Sequence, residues 1–372
     1  MSGGGAAPAS LAPIFDVLDR GVGRAYPGAV LGVLHRGELV IRRAVGLRSR
    51  GPDARPATAE TIYDLASLTK VLVTTPLMLQ AAAEQRLRLD DPLAMHLAEA
   101  QAPGVTLRHL LSHTSGLPAW IPFYLEATGY EAVVARAAAT HPTAPAGDQV
   151  VYSDLGFILL GEVIRRACGS RLDVLAARRI FDPLEMRDTG YRPSSSLRDR
   201  IAPTEDGTAI EQAMAGEAGR RHRWRRYLIW GEVHDSNAYA MGGVSGHAGV
   251  FGTADDVMRY ARMWLAEGRA PGSNVLPSEF ARAATSGQPP DRTRGLGWAL
   301  TGPHGWWGTA LSPSAFGHTG FTGTSIAIDP EHALAIVLLS NAVHLGRDRT
   351  EIVDLRRTLA AAVARALALG NY

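Results

Sequence analysis

Tyr63-Asp64-Leu65-Ala66-Ser67-Leu68-Thr69-Lys70-Val71-Leu72-Val73 sets a serine three residues before the only lysine in a chain of 372 residues. The other 37 of the 38 basic residues are arginine. Arginine stays charged near neutral pH, whereas a partly buried lysine can give up its proton. The apolar run that follows Lys70 reads as a helix. At the start of a helix this spacing puts Ser67 and Lys70 on one face, and the helix N-terminus aims backbone N–H groups at whatever Ser67 attacks. A serine hydroxyl needs a base before it is a useful nucleophile, and a desolvated lysine can be that base. Alone the spacing is a weak signal, because chance places a serine there about once in 15 to 20 times.

Outward from that stretch, the elements sort by type. Residues 11–22 carry Leu11, Ile14, Phe15, Leu18 and Val22 at helical spacing. Residues 29–35 and 39–45 read as strands, joined by Arg36-Gly37-Glu38 into a hairpin. Residues 324–329 and 333–340 are again strand-like, with Asp329-Pro330-Glu331-His332 as the turn. A helix rich in Ala, Leu and Arg closes the chain over about residues 349–369. Residues 75–240 are broken by many Pro and Gly and read as helices and loops. The pattern predicts an α/β fold of the α+β type. An antiparallel β-sheet built from 10–75 and 241–372 is flanked by the N- and C-terminal helices. A mostly helical domain, 76–240, is inserted, with the site at the interface. Residues 1–9, rich in Gly, Ala and Ser, read as a flexible terminus.

Two further elements follow in order. Tyr152-Ser153-Asp154 lies within 150–156, and His318-Thr319-Gly320 immediately precedes a strand-like region, 321–329. With Ser67-Leu68-Thr69-Lys70, these resemble the S-x-x-K, Y-x-N and K-T-G elements of the serine β-lactamases and penicillin-binding proteins. Residues 111–118 and 242–249 resemble segments of that superfamily's class C-like branch, with its family VIII esterases and DD-peptidase-like hydrolases. The likeness spans about residues 12 to 345. It implies a β-lactamase/transpeptidase-like fold and specific roles. Ser67 would be the acylated nucleophile, Lys70 its general base and Tyr152 a second proton relay. The backbone N–H groups of Ser67 and Phe321 would form the oxyanion hole. His318, in the place of the usual lysine, would position substrate or hold the Tyr152 hydroxyl. Asp154, Thr319, Gly320, Trp120 and Trp307 are the candidate substrate contacts.

Two positions depart from the superfamily's pattern. Asp154 stands where asparagine is usual. A carboxylate near Lys70 favours the ammonium form and works against a lysine base. Either Tyr152 carries more of the base role or Asp154 faces elsewhere, for instance as a helix N-cap. His318 replaces lysine, and a neutral imidazole clamps a substrate carboxylate less strongly than an ammonium does. That moves the expectation from β-lactam hydrolysis toward esters, amides or acyl transfer.

Each residue has a plainer reading beside the functional one. Tyr152 and His318 could be ordinary core residues. His113 and His247 could make structural hydrogen bonds. Phe123, Tyr124, Trp298, Trp306 and the two candidate tryptophans could pack in the core or wall an acyl pocket. Gly243-Val244-Ser245-Gly246-His247 lacks the last glycine of a nucleophile elbow, and residues 295–300 lack the last glycine of a dinucleotide fingerprint. Arg220-Arg221-His222-Arg223-Trp224-Arg225-Arg226 reads as a solvated surface, with an anionic partner as its other reading.

Composition narrows the class further. With 46% hydrophobic and 20% charged residues the chain is globular with ample core. A net charge of +2 gives no electrostatic footprint for nucleic acid. No apolar run approaches the roughly 20 residues of a membrane span, and the first eight residues do not resemble a signal peptide. The lone Cys168 excludes an internal disulfide and a multi-cysteine metal site, and reads as a small core residue rather than a nucleophile. No metal-ligand spacing is present, and no cofactor is expected. The expectation is a cytoplasmic serine hydrolase that acts through a Ser67 acyl-enzyme on a small ester or amide. Transfer of the acyl group to an amine or alcohol is the alternative, and a non-catalytic binding role the second. Substrate identity and oligomeric state are left open.

Overall fold

The computed structural model describes residues 10–51, 54–300, 305–346 and 350–369. Residues 1–9, read above as flexible, and Arg349, the expected start of the last helix, lie outside the described residues. The strands are β1 (Gly28–His35), β2 (Glu38–Gly46), β3 (Tyr63–Asp64), β4 (Gly190–Tyr191), β5 (Val250–Gly252), β6 (Arg269–Ala270), β7 (Ser273–Asn274), β8 (Ala299–Leu300), β9 (Phe316–Thr319), β10 (Ser325–Asp329) and β11 (Leu334–Ser340). Six of them form an antiparallel sheet in the order β2-β1-β11-β10-β9-β8.

The two ends of the chain meet at the middle of this sheet, where β1 pairs with β11 from Ala29–Ser340 to His35–Leu334. The β1–β2 turn is Arg36-Gly37, with φ of +52° and +86°. Two left-handed residues match the twist of the strands they join, and Glu38 is already the first residue of β2. Strands β10 and β11 are buried along their whole length, and β1 along all but His35. They read as continuous apolar runs for that reason, since both faces are covered.

On one face lie the helices Ala12–Arg20 and Thr350–Ala366, which enclose Ile14, Leu18, Leu31, Ile336, Leu359 and Val363. On the other, the helix Ala254–Leu265 and the helices of the middle of the chain share one core with the sheet, including Val30, Leu34, Leu72, Phe157, Leu160 and Val337. Burying each such side chain is worth roughly 1.5–3 kcal/mol, so this shared core ties the helices to the sheet.

One expected strand changes. His318 and Thr319 do not precede a strand but end one, β9, and Phe321 sits in the turn that follows. The strand expected from 321 begins at Ser325.

Candidate active site

The backbone around Ser67 is fixed from several sides. The Leu65 N–H donates to the Val250 carbonyl. The Asp64 carboxylate accepts from the Ala66 N–H at 2.8 Å and the His234 N–H at 2.7 Å. Ala66 reverses the chain with a φ of +48°, and the helix starts directly after Ser67, with a wide π-type turn, Lys70–Thr74, leading into Thr75–Ala83. The β9–β10 turn closes from the opposite side. Thr322 Oγ1 donates to the Asp64 carbonyl at 2.7 Å, and Thr324 Oγ1 to the Leu65 carbonyl at 3.1 Å. A Cβ on Gly320 would lie 2.1 Å from Thr324 Oγ1 and 2.6 Å from the Leu65 carbonyl oxygen. Gly320 is what lets this turn approach the serine segment so closely.

Lys70 is fully buried. Its Nζ donates to Ser67 Oγ at 2.9 Å and to the His247 carbonyl at 3.0 Å, and lies 2.7 Å from Asp154 Oδ1. The Lys70 ammonium stands 5.0 Å from the centre of the Tyr152 ring, and Lys70 and Ser67 are both near enough to pull the Tyr152 phenol down. Burial by itself depresses the lysine, but the Asp154 carboxylate and the Tyr152 hydroxyl outweigh it and hold Lys70 above its usual value. Burial pushes the Tyr152 phenol up against the pull of Lys70. The resting pair is therefore ammonium and phenol. Asp154 faces Lys70 and is not the helix N-cap. That residue is Ser153, whose Oγ accepts from the Gly156 N–H, and Asp154 is the first residue of the helix Asp154–Cys168.

His318 Nδ1 lies 2.8 Å from the Thr319 carbonyl. A carbonyl only accepts, so Nδ1 carries the hydrogen. In the neutral ring Nε2 is then an acceptor, buried and without a partner among the described residues. Burial, then the charges of Lys70 and Arg294, push the imidazole well below 6.5. Below about 6.5 the unfolded chain takes up a proton that the folded His318 refuses, so stability is lost as pH falls, by up to about 1.4 kcal/mol per unit. Above 6.5 the group contributes no pH dependence. A His318→Gln variant is expected to lose melting temperature less steeply than the parent between pH 6.5 and 5 in thermal denaturation; equal slopes would overturn the assignment.

Ser67, Tyr152, His318, Thr319, Gly320 and Phe321 line one cavity of about 260 Å³, together with Arg294 and Trp306. The Ser67 N–H has no acceptor among the described residues. Arg294 escaped the sequence reading, being one arginine among 37 with no motif around it. Its guanidinium lies 5.6 Å from the centre of the Tyr152 ring and pairs with no carboxylate among the described residues. Trp307, expected as a substrate contact, is instead buried in the core on the far side of the sheet with Leu311 and Leu338. Trp120 is half-buried beside Tyr124 and does not line this cavity. Phe123 and Trp298 pack in the main core, and Trp306 is the tryptophan that reaches the site.

The two histidines in question hold neighbours in place. His113 Nδ1 accepts from the Ser153 N–H at 3.0 Å, and its ring packs 4.4 Å from that of Tyr152. His247 is held between Ser245 Oγ at 2.7 Å and Asp235 Oδ1 at 2.9 Å, which fixes the carbonyl that Lys70 uses. Cys168 ends its helix half-buried, with its thiol pushed up by burial. Among the described residues no group of three or more His, Cys, Asp or Glu side chains is placed to hold a metal ion. No helix among them is long and apolar enough to cross a membrane.

The arrangement offers a hydroxyl nucleophile, a coupled lysine–tyrosine proton carrier and a pocket for an acyl group. Comparison with known proteins places the chain in a family. The chain is 30% identical over 378 residues to an N-acetylmuramyl-L-alanine amidase of Bacillus subtilis (strain 168), covering 92% of this chain and 82% of that protein. A penicillin-binding protein homologue from Caulobacter crescentus superposes with a TM-score of 0.74 at 22% identity, over 97% of this chain and 99% of that one. EstCE1, described as a hydrolase with promiscuous acyltransferase activity, superposes with a TM-score of 0.71 at 22% identity, over 93% and 98%. The Beta-lactamase family model matches residues 14–361. With nearly the whole chain matched, the protein belongs to the beta-lactamase family of serine hydrolases.

Proposed function

We propose that Ser67 is acylated by a small ester or amide and that water then releases the acyl group. The observation that carries this is the 2.9 Å hydrogen bond between Lys70 Nζ and Ser67 Oγ, with the Tyr152 ring 5.0 Å from the same ammonium, at the wall of a 260 Å³ cavity. The cavity lies between the sheet unit, 10–75 and 241–372, and the helical unit, 76–240. The ammonium–phenol pair must shed one proton before it can take another, and two groups so close titrate as one unit. Once it has, Ser67 Oγ attacks the carbonyl carbon while its proton passes to the pair. The carbonyl oxygen, gaining charge, is met by the Ser67 and Phe321 N–H groups. Tyr152 hands the proton to the leaving oxygen or nitrogen, and the same pair then activates the water. His318 Nε2, left without a partner among the described residues, is the acceptor for a substrate N–H or O–H. The cavity's cation is Arg294, placed for a carbonyl or anionic group at that end.

The amidase name of the Bacillus subtilis relative supports an amide bond as the target. Acyl transfer is the second reading, favoured by the likeness to EstCE1. A cytoplasmic location belongs to the same proposal, in keeping with one half-buried, unpaired cysteine.

A p-nitrophenyl ester is expected to give a burst of p-nitrophenol and an acylated Ser67 peptide by mass spectrometry. No adduct on Ser67 would sink the reading. Added amine separates the two outcomes: growing amide product at rising amine concentration indicates transfer, and hydrolysis at every concentration excludes it.

A further inference from the structure

A second and larger cavity, of about 740 Å³, shares no lining residue with the Ser67 cavity. Tyr124, His222 and Trp224 form one wall, meeting edge to face with ring centres 4.8 to 5.7 Å apart. The Trp224 indole is fixed by donation to the Gly219 carbonyl at 3.0 Å. Tyr124 is 5% exposed, and its hydroxyl has no partner among the described residues. A buried hydroxyl left unpaired is destabilising, a cost that a ligand acceptor would recover.

The cavity also resolves the basic run 220–226. Arg225 is buried and structural: it donates to the Val233 carbonyl at 2.7 Å, to the His234 carbonyl and to Ser236 Oγ at 3.2 Å, with its guanidinium 4.4 Å from the centre of the Tyr239 ring. Arg223 is exposed, lines the cavity and forms no ion pair among the described residues. Three guanidinium groups (Arg192, Arg223, Arg225) line it against one carboxylate, Glu232. Arg192 is paired with Asp173, and Glu232 accepts from the Tyr227 hydroxyl. That leaves Arg223 as the uncommitted charge.

We propose that this cavity is a second ligand site, for a ring-bearing carboxylate. The ring packs against Tyr124 and Trp224, an acceptor atom takes the Tyr124 hydroxyl, and the anion meets Arg223. Its volume lies in the range of small-molecule sites. The site stands apart from the acyl-enzyme reading and does not depend on it.

The test is calorimetric titration of 2-naphthoate into the unmodified enzyme and into enzyme treated with a p-nitrophenyl phosphonate to block Ser67. One site with the same Kd is expected in both. Tyr124→Phe and Arg223→Ala are each expected to weaken it by about five-fold or more, and 2-naphthylmethanol, which lacks the charge, to bind more weakly. Thr128→Trp at the exposed rim is expected to occlude the cavity without touching the core, so a folding defect at Tyr124 would not leave the question open. Absence of binding, loss of binding on blocking Ser67, or a Kd unmoved by all three substitutions would overturn the proposal. Failure of the phosphonate to label Ser67 counts against the acyl-enzyme instead, and the three substitutions still decide the cavity.

Discussion

Ser67→Ala is expected to lower turnover of a p-nitrophenyl ester by about 10⁴-fold or more, and to abolish the burst, while leaving the melting temperature nearly unchanged. The change removes one oxygen. Lys70, which loses an acceptor, keeps Asp154 and the His247 carbonyl as partners, so no buried charge is stranded. The backbone that places residue 67 is held by Asp64, Thr322 and Thr324, none of which uses the serine side chain. What disappears is the covalent route. Any residual rate reflects the N–H groups and the cavity acting on water. Steady-state rates and thermal denaturation on the same preparation check both halves. Retained turnover would remove Ser67 as the nucleophile, and a collapsed melting temperature would show that it has a structural role not visible in its contacts.

Some of this architecture is legible in the sequence, for identifiable reasons. The hairpin of β1 and β2 shows because a two-residue turn with Gly37 joins two runs of strand-forming residues. β10 and β11 show because strands covered on both faces carry apolar runs, residues 326–328 and 334–339, with polar residues only at their ends. β9 is opaque because Phe316-Gly317-His318-Thr319 has no periodicity of its own. It is a strand through pairing with β10, and a Cβ on Gly317 would come within 2.4 Å of the Ile326 carbonyl oxygen. In the site, Ser67, Lys70 and Tyr152 carry their spacing or motif with them, and the structure brings their side chains together. The direction of Asp154 depends on Ser153 being the cap, a difference of one residue at a helix start. Trp306 and Trp307 are neighbours in sequence, yet one reaches the cavity and the other the far core. Arg294 reaches the site from outside every motif, and only the fold identifies it.

Lys70→Arg is expected to acylate within about ten-fold of Lys70→Ala, with both about 10²–10⁴-fold slower than the parent. Arginine keeps the charge that Asp154 pairs with, but it has five donors and no lone pair to accept a proton. Charge alone is therefore the wrong quantity, and the pair of substitutions separates charge from proton transfer. Asp154→Asn separates them from the other direction. The Asp154 carboxylate favours the ammonium form, so its removal lowers the pH at which the Lys70–Tyr152 pair sheds its proton. Asparagine keeps an oxygen for Lys70 to donate to, so the network survives. The rising limb of acylation rate against pH should then move to lower pH in Asp154→Asn. A limb that stays in place, with a reduced plateau, would mean that the ammonium itself is the working form. Near-parental acylation by Lys70→Arg would say the same, and would leave Tyr152 as the sole base for Ser67.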